Sequence, residues 1–219
     1  INTSFTTNAV HLRPNFVDEH LHKVSWIKAS INAGTSESYA SVHRTKADDF
    51  ESVWKNLAYA TSVRSKSSTK VKTAVGAQSL LLPDNLQTLD QLAARSKDCG
   101  LDYLVLKPYV HNIYMEQAGY HDIDYTVNEY SEVIQRLKAK YKSDTFSIVA
   151  RTNALNKLIG NEKRYETCWS TPSLWFYVSG NGDVYACGAH VGNPLFLLGN
   201  INSSLIKDIW QSESRIRSF

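Results

Sequence analysis

The sequence predicts an α/β protein, a partial (β/α) TIM-like barrel over residues 1–155 followed by a small α+β hairpin domain over 156–219. Three observations predict it. Short runs of strand formers alternate with amphipathic helical runs, the pattern of a parallel sheet. Polar residues collect where the strand runs end, and parallel sheets bind their ligands at those carboxyl ends. Past Ala154 the alternation stops, and a Gly-Asp hairpin signal stands between two cysteines.

The elements follow in order. Thr3 to Val10 reads as a first strand with Thr7 and Asn8 at its tip, and Val24 to Ile31 as a second, tipped by Ser30, Asn32 and Gly34. Ser36 to His43 is a helix. Asp48 to Val63 is a longer one, with Phe50, Val53, Trp54, Leu57 and Ala60 at a period near 3.6. Asp48 and Asp49 at its start suit the positive end of the helix dipole. Ser65 to Thr69 is a polar loop, and Lys70 to Gln78 a third strand ending at Gly76 and Gln78. Pro83-Asp84-Asn85 makes a turn and N-cap, and Leu86 to Cys99 a helix stopped by Gly100. Leu101 to Leu106 is a fourth strand tipped by Lys107 and Pro108, and Val110 to Tyr125 a loop rich in His and Tyr. Thr126 to Tyr141 is a helix, and Thr145 to Ala150 a fifth strand tipped by Arg151, Thr152 and Asn153.

In the C-terminal part, Asn156 to Glu166 is short and polar. Trp175 to Val178 and Val184 to Cys187 are strands joined by a turn over Ser179 to Asp183. Phe196 to Ile201 is a further apolar run. Ser203 to Ser212 is an amphipathic helix, expected to turn Leu205, Ile206, Ile209 and Trp210 inward.

A hydrophobic share of 42% and a charged share of 21% over 219 residues fit an ordinary globular protein. The net charge of +3 does not call for nucleic acid and permits an anionic ligand. No apolar run reaches membrane-spanning length, and no secretory signature opens the chain. A cytoplasmic location is therefore expected, with the three cysteines as ligands or core residues rather than a disulfide framework. The chain starts inside a strand without Met, so a piece of a longer protein is expected.

Asn8, Ser30, Asn32, Gln78, Lys107 and Arg151 all fall at strand ends. Together they form a ring of hydrogen-bonding groups with few carboxylates, suited to a polar ligand carrying a carboxylate or hydroxyls. Any single member fits a helix cap or turn equally well. Cys168 and Cys187 come close if the hairpin folds back, and thiolates suit iron–sulfur clusters or zinc. Two ligands fall short of a closed site, and His190 offers a nitrogen nearby. A pair of core thiols or a disulfide fits the same spacing. Cys99 reads as a buried thiol at a helix end, behaving as a small hydrophobe.

Several of these segments, taken in order, resemble a known family. They are Thr7-Asn8, Ser30-Ile31-Asn32, His43-Arg44, the hairpin Gly182-Asp183-Val184-Tyr185-Ala186-Cys187, Leu198-Gly199-Asn200-Ile201 and Ile209-Trp210. The order resembles radical S-adenosylmethionine (radical SAM) enzymes with a C-terminal auxiliary iron–sulfur domain of the SPASM or twitch type. Cys168, thirteen residues, Gly182, four residues, Cys187 is similar to the opening half of the SPASM cysteine pattern.

The resemblance implies an oxidoreductase-type enzyme in which a reduced 4Fe-4S cluster splits S-adenosylmethionine. A 5′-deoxyadenosyl radical then takes hydrogen from a peptide or small sugar-like molecule. It implies that Ser30 and Asn32 contact the cofactor's ribose, Arg44 its carboxylate, Asn8 its surroundings, and Gly76 and Gln78 its adenine side. Lys107 and Arg151 would face substrate, and the loop Tyr109 to Tyr125, with His111, Tyr114, His121 and Tyr125, would select it. Cys168 and Cys187 would ligate an auxiliary 4Fe-4S cluster, and an electron donor such as flavodoxin or ferredoxin would supply reducing equivalents. The chain departs from the family in lacking the Cys-x3-Cys-x2-Cys loop of the radical cluster, the glycine-rich end of the second family strand and the later SPASM cysteines. As it stands, this piece would not cleave the cofactor. A non-catalytic iron–sulfur or zinc-binding, electron-transfer module on a degenerate barrel is the rival expectation.

Overall fold

The computed structural model describes residues 2–67, 73–110, 120, 123–160, 166–168 and 174–217. They fall into two compact units, one within residues 1–110 and 120–161, the other within 162–219. The helix Thr152–Ile159 belongs to the first unit and spans the position where composition placed the boundary.

The first unit holds five parallel strands, β1 (Ser4–Thr7), β2 (Trp26–Ser30), β3 (Ala74–Leu81), β4 (Tyr103–Pro108) and β5 (Ser147–Ala150). Their spatial order is their sequence order. Each strand therefore lies beside the one before it, and each connection advances the same way across the sheet. The helices are α1 (Pro14–His20), α2 (Ser36–His43), α3 (Ala47–Lys66), α4 (Leu89–Asp98), α5 (Asn128–Tyr141) and α6 (Thr152–Ile159).

Alternation decides what each face does, because successive strand side chains point to opposite sides. Ile27 and Ala29, Val75 and Ala77, Leu104 and Leu106, and Ile148 form one buried core with Val53, Leu57, Leu92 and Leu137 of the helices. The other face carries the intervening residues. Trp26 and Val149 there remain 36% and 42% exposed.

Helix ends follow local chemistry. Thr35 caps α2 by accepting the Ser38 N–H at 3.3 Å, and Arg44 ends it in the left-handed region at φ 52°. Asp48 and Asp49 occupy the first turn of α3. Pro14 opens α1 at a position where no N–H is needed.

The second unit is a three-stranded antiparallel sheet of β6 (Tyr177–Val178), β7 (Asp183–Tyr185) and β8 (Leu197–Asn200), followed by α7 (Ile206–Trp210) and α8 (Glu213–Arg217). Gly182 takes φ 88° at the hairpin turn, and a Cβ there would meet Asn202 Nδ2 at 2.3 Å. Val184, Ala186, Leu198 and Ile209 make the small core. The inward set expected of the last amphipathic helix is corrected: Ile209 is buried, but Leu205 is 72% and Ile206 44% exposed. With only five residues, α7 is too short to bury more than one turn's face. Among the described residues no helix is long and apolar enough to cross a membrane.

Candidate functional site

The parallel register sorts the expected site residues. Ser30 pairs with Gln78, Gln78 with Val105, and Val105 with Val149. Ser30 and Gln78 thus stand side by side on the face away from the core, one strand spacing of about 4.8 Å apart. One row deeper, Lys28 pairs with Gly76 and Gly76 with Tyr103. The Tyr103 ring covers Gly76, where a Cβ would lie 2.2–2.5 Å from ring carbons. Gly76 is therefore the position that lets an aromatic ring lie flat across β3.

Asn8 follows β1 in a tight turn. Its Oδ1 accepts the Val10 N–H at 3.2 Å, and the Thr7 hydroxyl accepts the Ala9 N–H at 3.0 Å. Ala9 is buried at φ 61°, and Asn56 of α3 holds the turn by donating to the Ala9 and Val10 carbonyls at 2.9 Å. Asn8 itself stays exposed.

Asn32 is a stitch as well as a tip. Its Oδ1 accepts the Leu80 N–H at 2.9 Å, tying the end of β2 to the end of β3. Its own N–H donates to His43 Nε2 at 3.0 Å, and the His43 ring stacks on Tyr39 with centroids 4.2 Å apart. Burial pushes the His43 pKa below its ordinary value.

Asn85 completes the tip. It is fully buried, donates to the carbonyls of Asn32 and Leu80 at 2.8 Å, and accepts the Leu82 N–H at 3.1 Å. It stands at the N-cap position expected of it, ahead of the short turn Leu86–Thr88, and its carbonyl accepts the Thr88 N–H at 2.9 Å, but its side chain bonds strand-end backbone instead of the helix, because the strand ends present three buried backbone groups that need partners. Its role was therefore missed in the sequence. His43 was missed too, since its contact lies eleven residues away.

Arg44 is exposed at the end of α2, and its charge is felt at Tyr120, whose hydroxyl donates to Asp84 at 2.7 Å. Burial first, and then Asp84, push the Tyr120 phenol up to about 12. Tyr125, expected in a selecting loop, is an anchor: its hydroxyl donates to the Leu81 carbonyl at 2.8 Å and accepts the Tyr109 N–H at 2.7 Å. His111, Tyr114 and His121 lie outside the described residues.

Lys107 and Arg151 close the row at the tips of β4 and β5. Lys107 is aligned with Leu80, and Arg151 continues the ladder through its N–H to the Leu106 carbonyl at 2.9 Å. A third cation, Lys28, joins them from β2. Burial, then the charges of Lys107 and Arg151, hold its ammonium below the usual lysine range, and burial with Arg151 does the same to Lys107. The available signal was a lysine inside a parallel strand, a strand type that normally reads as a continuous apolar run.

Cys168 and Cys187 are both half-buried residues of the second unit, and neither forms a disulfide. Cys187 follows β7 directly. His190 donates its N–H to the Cys187 carbonyl at 3.1 Å, while its ring stacks on Phe196 at 3.8 Å. Among the described residues no three His, Cys, Asp or Glu side chains are grouped to hold a metal ion. Cys99 packs against the main core as expected, and burial pushes its thiol up to about 11. Two cavities, of 480 and 530 Å3, open at the amino ends of the strands around Thr73 and Asp102, away from the polar tips.

Residues 168–219 match the model of the SPASM family, an iron–sulfur cluster-binding domain. The whole chain shares its fold with SuiB of Streptococcus suis. The similarity holds for the crystal structure of SuiB (17% identity, TM-score 0.64), for SuiB bound to S-adenosylmethionine (16%, 0.65) and for SuiB bound to precursor peptide SuiA (15%, 0.68). Each covers 100% of this chain, which spans about half of SuiB, 50–51% of that chain. None of the curated proteins matches the chain.

Proposed function

We propose that the chain is part of a radical SAM enzyme acting on a peptide, with residues 1–155 contributing to a (β/α) barrel and 156–219 to an auxiliary iron–sulfur domain. The observation that carries this is the SPASM match, which contains both Cys168 and Cys187. The sequential parallel sheet supports it, because that winding is the one by which a barrel closes. SuiB, of like fold, is described bound to S-adenosylmethionine and to a precursor peptide.

The residues present fit the groups this function needs. Half-buried thiols are the donor type that iron–sulfur clusters take, so Cys168 and Cys187 would hold the auxiliary 4Fe-4S cluster. Ser30 and Gln78, adjacent on the open face, would bind hydroxyl and adenine edges of S-adenosylmethionine. Asn32 keeps its Oδ1 on Leu80 and would offer its amide N–H2 to the ribose. Asn8 would sit at the margin of the same site. Arg44 would pair with the carboxylate, where a guanidinium fork fits well. Gly76 would act through the Tyr103 ring laid across it. Lys107 and Arg151 would meet the substrate. The cofactor, when bound, would supply the hydrogen-abstracting chemistry. An electron donor such as flavodoxin or ferredoxin and a cytoplasmic setting would go with it.

Full-length protein purified anaerobically tests this. Iron and acid-labile sulfide are expected, with Cys168→Ala and Cys187→Ala each losing about one cluster's worth. Variants with full iron and sulfide, or zinc in place of iron, would reject it.

A further inference from the structure

We infer that Lys28, Lys107 and Arg151 form one anion-binding subsite on the open face of the sheet, taking paired carboxylate side chains of an acidic peptide substrate. The subsite rests on the function proposed above and names the substrate class that goes with it.

Register puts all three cations on the open face of the sheet and sets Lys107 and Arg151 side by side. Lys28 shares its row with Gly76 and Tyr103, and Lys107 lies four residues beyond Tyr103 on the same strand, so both point away from the core. Arg151 stands beside Lys107 at the end of the next strand. Their charges act on one another, and each lysine is held below its ordinary range.

No carboxylate among the described residues offsets this charge. Elsewhere in the unit basic side chains do find carboxylates: Arg64 pairs with Asp102, Arg95 with Glu51 at 2.5 Å, and Lys140 with Asp90 at 2.8 Å. Lys28 instead lies over the Trp26 ring, 5.3 Å from its centroid. Three like charges gathered on a partly desolvated surface oppose folding, and such arrangements cluster at binding sites. An incoming anion removes the repulsion.

The spread selects the anion. The cations rise from β2, β4 and β5: Lys28 and Arg151 lie three strand spacings apart across the sheet, about 14 Å, and Lys28 sits four residues deeper along the strands. That spread is wider than a single phosphate and calls for more than one carboxylate along a peptide. Exposed Trp26 and Val149 on the same face add apolar surface that a peptide covers and an inorganic ion does not.

Calorimetry on the full-length protein tests the subsite with four probes: acetylated tetraglutamate amide, its tetraglutamine counterpart, inorganic phosphate and S-adenosylmethionine. Tetraglutamate is expected to bind at least tenfold tighter than tetraglutamine or phosphate. Lys28→Met and Arg151→Gln should each weaken tetraglutamate about tenfold while leaving S-adenosylmethionine affinity unchanged. Without peptide, Lys28→Met should melt no lower than wild type, because repulsion is removed. Equal affinity for the two peptides, phosphate binding as tight as tetraglutamate, or a loss in the variants that falls on S-adenosylmethionine would overturn the subsite. Variant-sensitive tetraglutamate binding by a protein that takes up no S-adenosylmethionine would support the subsite and reject the proposed enzyme.

Discussion

His43 shows how one ring sets a strand tip. Its Nε2 accepts the Asn32 N–H, so the neutral ring carries its proton on Nδ1, and the stacked Tyr39 keeps it in place. Protonation would turn the acceptor into a donor facing another donor. Burial lowers the folded-state pKa below the unfolded value of 6.5, so on acidification the unfolded chain takes up the proton first. Stability should therefore be fully present above about 6.5 and fall as pH drops below it, by at most about 1.4 kcal/mol per pH unit. His43→Gln keeps an acceptor without a titrating proton and should flatten that slope, measured as urea unfolding midpoints at pH 7.5 and 5.5. Parallel slopes in the two proteins would contradict the role. Asn32 was legible as a polar strand end. Its partners His43, Leu80 and Asn85 were not, because hydrogen bonds between loops leave no periodic trace in a sequence.

At the scale of elements, the long periodic helices were the clearest. Phe50, Val53, Trp54, Leu57 and Ala60 face the core of α3 as their spacing implied. The strands were recognised, but β3 and β4 were placed a few residues early and β1 was carried too far: β3 begins at Ala74 and runs to Leu81, β4 runs on to Pro108, and β1 ends at Thr7. A strand has no capping chemistry comparable to a helix's, so its ends are set by its neighbours. The helices α1 and α6 were missed. Pro14 marks the first, but α1 is only seven residues long and buries Val17 alone, too little for a pattern. The second carries a single buried residue, Leu155. The pairing of β3 and β4 gives a test at this scale. Gly76→Ala would drive a methyl into the Tyr103 ring and cost about 2 kcal/mol. Adding Tyr103→Ala should recover part of that loss, so the double variant would be less destabilised than the sum of the singles. Additive losses by urea unfolding would show that the ring does not lie on Gly76.

For the molecule as a whole, the division of labour was legible in outline. Alternating strands and helices gave way to a hairpin between two cysteines, and the structure has a parallel sheet in one unit and an antiparallel hairpin sheet in the other. What the sequence hid was which polar tips share a surface. Ser30 and Gln78 do so by register, and Lys28 of β2 joins Lys107 and Arg151 from two and three strands away. Such neighbours are brought together only by strand order, which no local pattern encodes.

The central proposal is that this rim of the sheet binds S-adenosylmethionine. Isothermal titration of the cofactor into anaerobic full-length protein, wild type against the Ser30→Ala/Gln78→Ala double variant, tests it most directly. Loss of two neutral hydrogen bonds, about 1 kcal/mol each, predicts affinity weaker by roughly 30-fold. Unchanged affinity in the folded double variant, or no binding by the wild type, would contradict it.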